Sequence, residues 1–228
     1  MKDKLLILFV CLASFLASCD AWLEINLEDE ISSEHAFSKG SGYRSVLNGI
    51  FQECGKEDLY WKALSSGVLS ADSQTYVTIS TNDEMLYYSR FAYNENSDAI
   101  GLYEGWWTGM YNLIANLNNL LVNIETADSK IFEYEELEKN LIKGEALALR
   151  AFLHLDIVRL FAPSPAVNKN FKMIPYQDTF PSRFTMPQTT DSLLTCITDD
   201  LLKAMPLVAA WDTTEGGIKF TQPVRVIR

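Results

Sequence analysis

What the sequence lacks narrows it before any motif is read. No apolar run reaches the about 20 residues that span a hydrocarbon core; the run at the N-terminus, Leu5 to Leu16, has 12. Basic residues are few: 19 Lys and Arg face 30 Asp and Glu, a net charge of −11. Such a surface repels nucleic acid and anionic lipid headgroups, so neither is expected as a partner. The four cysteines do not make a disulfide framework. His154 has no second His or Cys near it, and a lone imidazole is not a metal site. Neither metal nor cofactor is expected. Composition shows no legible internal repeat.

What is present begins at the N-terminus. Lys2 and Lys4 precede the apolar run, and Leu16-Ala17-Ser18-Cys19 follows it. This is the layout of a secretory signal, residues 1–18, to be set aside from the fold. The small residues before Cys19 suit a lipoprotein signal peptidase, with the Cys19 thiol taking a diacylglyceryl group. An ordinary signal that merely contains a cysteine is the alternative. The mature chain, residues 19–228, would carry 17 basic and 29 acidic residues, a net charge of −12. Attachment to a membrane would then come from acyl chains rather than a basic patch, and more than one chain gives stable anchoring. Cys11 leaves with the signal. Cys54 and Cys196 remain: the compartment permits a bridge, but two buried thiols are the simpler reading.

Residues 20–33 read as an acidic, extended lead-in that packs Trp22 and Ile25, with Ser33 as an N-cap. Tyr43, Val46, Leu47, Ile50 and Phe51 then follow helical spacing, weakened at the front by Gly40 and Gly42. A shorter helix is expected over 57–69. Residues 70–97 are polar and aromatic without helical period, a long loop with a short strand pair near Tyr76–Ile79. The strongest helix is expected over 98–125, where Tyr103, Trp107, Met110, Ile114, Leu117, Leu121 and Ile124 form one stripe. Another covers about 134–161 and ends before Pro163 and Pro165. An irregular stretch with five prolines follows, 162–187. A last helix starts near Thr190 with Leu194, Ile197, Leu201 and Ala204 inward, and Pro206 stops it. About 210 residues suffice for one large domain. The fold class is mostly α: tetratricopeptide-like stacked helix pairs with long irregular loops.

Within 134–161, Leu137, Leu141, Ala148, Phe152 and Leu155 mark one face, and Ile142, Ala146, Leu149 and Leu153 fill the flank. The helix is therefore sandwiched. Gly144, Ala148 and Ala151 let a neighbour come close. Glu145 and Arg150 stand five positions apart, about 140° around the helix. They do not pair with each other, so each needs a partner elsewhere. Asp156 and Arg159, three apart, can pair. Nothing supports a nucleophilic triad around His154, and these charges read as locks for helix packing.

Gly144-Glu145-Ala146, Leu149-Arg150-Ala151 and Arg159-Leu160-Phe161 together resemble the signature helix of the SusD/RagB family. The cysteine-terminated signal, the lead-in through Asp29-Glu30-Ile31-Ser32, the helix with Trp107, Tyr111, Ile114 and Asn116, and the helix from Thr189 to Met205 with Asp199-Asp200-Leu201 agree in order and spacing. Ala162-Pro163 departs from the family's glycine after Phe161. The resemblance implies a surface-exposed outer-membrane lipoprotein that binds a glycan or oligosaccharide without catalysis and serves a TonB-dependent transporter. Family members run longer, so the domain at 19–228 reads as an incomplete, truncated N-terminal portion. The alternative is a truncated helical scaffold or remnant without ligand binding. A glycosidase is disfavoured, because paired acids are unavoidable among 30 and their separation is not legible.

Sugar rings offer flat C–H patches to aromatic faces, and their hydroxyls need polar partners. Residues 72–93 combine both chemistries, and the candidate ligand-binding residues are Asp72, Tyr76, Asn82, Tyr87, Tyr88, Arg90 and Tyr93, with Gln74 beside them. The other reading is that these tyrosines pack the loop onto the helices.

Overall fold

The computed structural model describes residues 33–56, 59 and 97–212. The lead-in, Cys19, the expected helix at 57–69 apart from Leu59, the 72–93 candidate loop and the strand pair at Tyr76–Ile79 lie outside the described residues. The chain divides into two units, Met1–His35 and Ala36–Arg228. Of the first, only Ser33–His35 is described, within the single helical turn α1 (Ser33–Ala36). Ser33 is thus the first helical residue rather than the residue before it.

Among the described residues, the second unit has four long helices: α2 (Gly40–Cys54), α3 (Ser97–Thr126), α4 (Glu135–Phe161) and α6 (Thr190–Asp212). A short helix, α5 (Pro165–Asn168), and a two-stranded antiparallel ribbon, β1 (Lys172–Ile174) with β2 (Gln188–Thr189), sit between α4 and α6 in the chain. The short helix and β1 were missed within the irregular 162–187 stretch, and β2 just after it, since strands of two and three residues show no period.

The helix expected to follow Ser33 is interrupted before α2 begins at Gly40. The chain turns at 37–39, and Gly42 comes so close to the Ala36 carbonyl that a Cβ would overlap it. The turn is closed by the Gly42 N–H, which donates to Lys39 O at 2.9 Å. Phe37, Tyr43 and Phe132 stack there in sequence, with centroids 4.8 and 5.3 Å apart.

Side-chain pairs fix helix directions. Trp107 meets Phe161 and Glu125 meets Lys143, so α3 and α4 are antiparallel. Gly144 meets Ala204, Leu207 and Val208 while Arg150 meets Asp200, so α4 and α6 are antiparallel as well. Arg44 reaches Glu145 and Phe51 lies beside Ala151, so α2 runs parallel to α4. This alternation is a tetratricopeptide-like stack of helix pairs. Its core runs through Leu47, Trp106, Met110, Ile114, Leu117, Ile142, Leu153 and Ile157. From Leu141 to Val158 nearly every residue of α4 is buried. The sandwiched helix is therefore the centre of the stack.

Two expectations about α6 are corrected. The helix does not stop at Pro206 but continues to Asp212. Pro206 is exposed, so the Leu202 carbonyl that it leaves without a donor faces water. Val208 and Trp211 beyond it are buried against Leu141, with the Trp211 ring edge-on to Tyr134 at 5.1 Å. That burial offsets the missing hydrogen bond. The inward face is Leu193, Ile197, Asp200, Ala204, Val208 and Trp211, and Leu201 is 37% exposed. On α4, Phe152 is likewise 43% exposed rather than buried with Leu141.

Candidate functional site

The charged residues of α4 converge on two clamps. In the first, the Arg44 guanidinium on α2 donates to Glu145 Oε2 on α4. Burial pushes the Glu145 carboxyl up, and the Arg44 charge and hydrogen bond pull it back without cancelling the rise. A carboxylate this buried stays only with such a partner.

The second clamp is larger. Arg150 Nε and Nη2 donate to the two oxygens of Asp200 at 2.7 and 2.8 Å, a bidentate fork between α4 and α6. Burial works to lower the Arg150 pKa, but the Asp200 hydrogen bonds and charge outweigh it and raise it. Nη1 donates to Asn118 Oδ1 on α3 at 2.8 Å. The Tyr176 hydroxyl donates to Asp200 Oδ2, and its ring stacks on His154 at 4.1 Å. Burial is also the first cause that raises Tyr176, ahead of its hydrogen bond to Asp200.

The same residues grip the connection after β1. His154 Nε2 accepts from the Gln177 N–H at 3.1 Å, so Nδ1 carries the proton and donates to Arg150 O at 2.9 Å. Burial holds His154 down at about 4. Asn118 Nδ2 donates to Gln177 O at 3.1 Å, and the Tyr111 hydroxyl donates to Pro175 O at 2.9 Å. Three long helices thereby fix one short stretch of loop, residues 175–179. Asp156 and Arg159 pair at 2.9 Å as their spacing allows.

Of the sequence-selected residues, Gly144, Glu145 and Arg150 are brought onto one helix between these clamps. Asp72, Tyr76, Asn82, Tyr87, Tyr88, Arg90 and Tyr93 lie outside the described residues. Sequence reasoning missed Asn118, Tyr176 and the role of Asp200. It singled out Asn116, which is exposed and bonds only back to Asn112 O at 3.0 Å. The burial stripe on α3 was the signal that could have corrected this: Asn118 stands between Leu117 and Leu120, on the buried side.

Cys54 and Cys196 are free, half-buried thiols, and burial pushes Cys54 up to about 11. Among the described residues, no group of three His, Cys, Asp or Glu could hold a metal ion. No described helix is long and apolar enough to cross a membrane.

Described residues line two concave surfaces. An apolar groove of about 490 Å³ is lined by Phe51, Cys54, Ala148, Phe152, Leu155 and Leu201 among others. A shallower cleft of about 380 Å³ lies where α3 begins and α4 ends, lined by Tyr103, Glu104, Trp107, Thr108 and Phe161.

Residues 27–222 match the family of SusD-like proteins described as starch-binding and associating with the outer membrane. Comparison with curated proteins yields no match. A crystal structure of a SusD homologue from Bacteroides thetaiotaomicron VPI-5482 superposes with a TM-score of 0.54 at 17% identity, over 80% of this chain. At that identity the likeness speaks for the helical fold alone. The chain spans 33% of that structure's length. Helix order, the clamped α4 and a match that covers most of the sequence agree, and the chain belongs to the SusD-like family.

Proposed function

We propose that the protein is an outer-membrane lipoprotein that binds a glycan or oligosaccharide for uptake, held to the membrane through Cys19 and serving a TonB-dependent transporter. The observation that carries this reading is the family match over 27–222, which includes both the clamped helices and the 72–93 loop. The chemistry of the described residues supports binding rather than catalysis. Glu145, Asp200, His154 and Arg150 are each engaged by a buried partner, so the charged groups of the signature helix are committed to structure. The acidic surface disfavours retention on an anionic headgroup layer and leaves anchoring to the acyl chains. Members of this family described by association with the membrane fit that role.

Within this reading the loop residues Asp72, Tyr76, Asn82, Tyr87, Tyr88, Arg90 and Tyr93 centre the glycan contact. Four tyrosines supply stacking faces, and Asp72, Asn82 and Arg90 supply hydroxyl partners. With few contacts, affinity is expected in the millimolar range, about −4 kcal/mol. Replacement of Tyr87, Tyr88 and Arg90 together by Ala should abolish glycan-array binding while the helical circular dichroism is unchanged. Binding that survives the triple change would place the contact elsewhere.

A further inference from the structure

Tyr103, Glu104, Trp107 and Thr108 occupy adjacent turns on one face of α3, spaced so that their side chains are neighbours. Phe161, the last residue of α4, closes the other side. The ring planes are set by their neighbours. Trp107 stands at 87° to Phe161 with centroids 5.1 Å apart, and Tyr111 backs it at 4.9 Å. Tyr103 stands at 81° to Trp106 at 5.2 Å, and Trp106 is fully buried. Tyr103, Trp107 and Phe161 are themselves half-buried, so each keeps accessible surface while its orientation is fixed. Tyr111 in turn is tied to the clamped loop through Pro175 O. An aromatic platform held this way needs no reorganisation to receive a flat ligand.

The polar groups at this platform are a carboxylate, Glu104, and a hydroxyl, Thr108, both exposed. Among the described residues, no Lys, Arg or His lines the cleft. Aromatic faces plus a few hydrogen-bonding groups match a ligand that is apolar on its faces and hydroxylated at its rim. The volume, about 380 Å³, falls within the ~300–1,000 Å³ of small-molecule sites. The carboxylate at the rim, a described lining without a cation and the net charge of −11 together disfavour an anionic ligand.

We propose that the cleft of Tyr103, Trp107 and Phe161 is a stacking subsite for an uncharged sugar ring, and that Glu104 selects against uronate and sulfated sugars. The proposal rests on the glycan-binding reading and adds to it a second contact surface, apart from the 72–93 loop, and a class of ligand. Glu104 would accept from sugar hydroxyls, while Trp107 supplies the principal face.

The test is a calorimetric titration of the full chain with a neutral gluco-oligosaccharide and a galacturonate oligosaccharide of equal length, for the unaltered protein, Trp107→Ala, Glu104→Lys and the Tyr87/Tyr88/Arg90 triple variant. Glu104 is exposed, so Glu104→Lys keeps the question answerable if Trp107→Ala fails to fold. The unaltered chain should bind the neutral ligand and not the galacturonate. Trp107→Ala should weaken neutral binding at least tenfold (about 1.4 kcal/mol) with unchanged circular dichroism. Glu104→Lys should shift the ratio of neutral to galacturonate affinity at least tenfold toward the acid. Neutral binding that is lost in the triple variant but untouched by both cleft changes would overturn the subsite and leave the glycan reading standing. Absence of neutral-glycan binding in the unaltered chain would overturn both.

Discussion

His154 shows how a titratable group can be spent on structure. Both ring nitrogens are committed, one accepting from the Gln177 N–H and the other donating to Arg150 O. A proton on Nε2 would break the first bond inside the core, and burial holds the pKa at about 4 against an ordinary 6.5. The folded value lies below the unfolded one, so His154's stabilising contribution is complete above about pH 6.5. As pH falls toward 4 the unfolded chain takes up a proton that the folded chain refuses, and on the order of 3 kcal/mol is lost. Glu145, whose pKa is raised, runs the other way and gives stability that is lost as pH rises. The contrast must therefore be made within a pair of proteins. Urea melts between pH 7 and 4 should show a shallower fall for His154→Gln than for the unaltered chain. Parallel curves would contradict this account of the buried imidazole. At this scale the need for partners was legible in the sequence, because Glu145 and Arg150 sit too far around the helix to meet each other. The partners were not: Arg44 lies 101 positions from Glu145 and Asp200 lies 50 from Arg150, and helical spacing says nothing at that range.

At the scale of elements, Gly144 sets the distance between α4 and α6. A Cβ there would lie 2.9 Å from both Leu207 Cβ and Val208 Cγ2, and 3.2 Å from the Ala204 carbonyl oxygen. Two of the three obstacles sit at or beside the partner backbone, so neither can swing away. Gly144→Val should force the helices apart and cost about 2–3 kcal/mol by overpacking, read as a lowered urea midpoint. An unchanged midpoint would mean that α6 is free to slide. The long helices were legible because their apolar stripes repeat over several turns. The face of α6 was read wrongly at Leu201 because apolar residues stand on both of its sides; Leu202 and Met205 are exposed as well. The end at Pro206 was read wrongly because a proline's local cost was weighed without the burial of Trp211 beyond it. The β1–β2 ribbon follows from contacts between Lys172 and Thr189 and between Ile174 and Gln188, a pairing that no short window of sequence contains.

For the whole molecule, the proposed membrane attachment rests on one residue, Cys19. If Cys19 carries the acyl chains, Cys19→Ala should abolish radiolabelled palmitate incorporation and move the protein out of the membrane fraction. Membrane retention without label would show that something other than Cys19 holds it. The central claim is that this SusD-like chain binds a glycan and returns it unchanged. The most direct measurement is incubation of the purified chain with a neutral oligosaccharide in an equilibrium-dialysis cell, followed by chromatography of the sugar. The account predicts saturable retention on the protein side and an oligosaccharide of unaltered length. Shortened products, or equal sugar on both sides at millimolar protein, would contradict it.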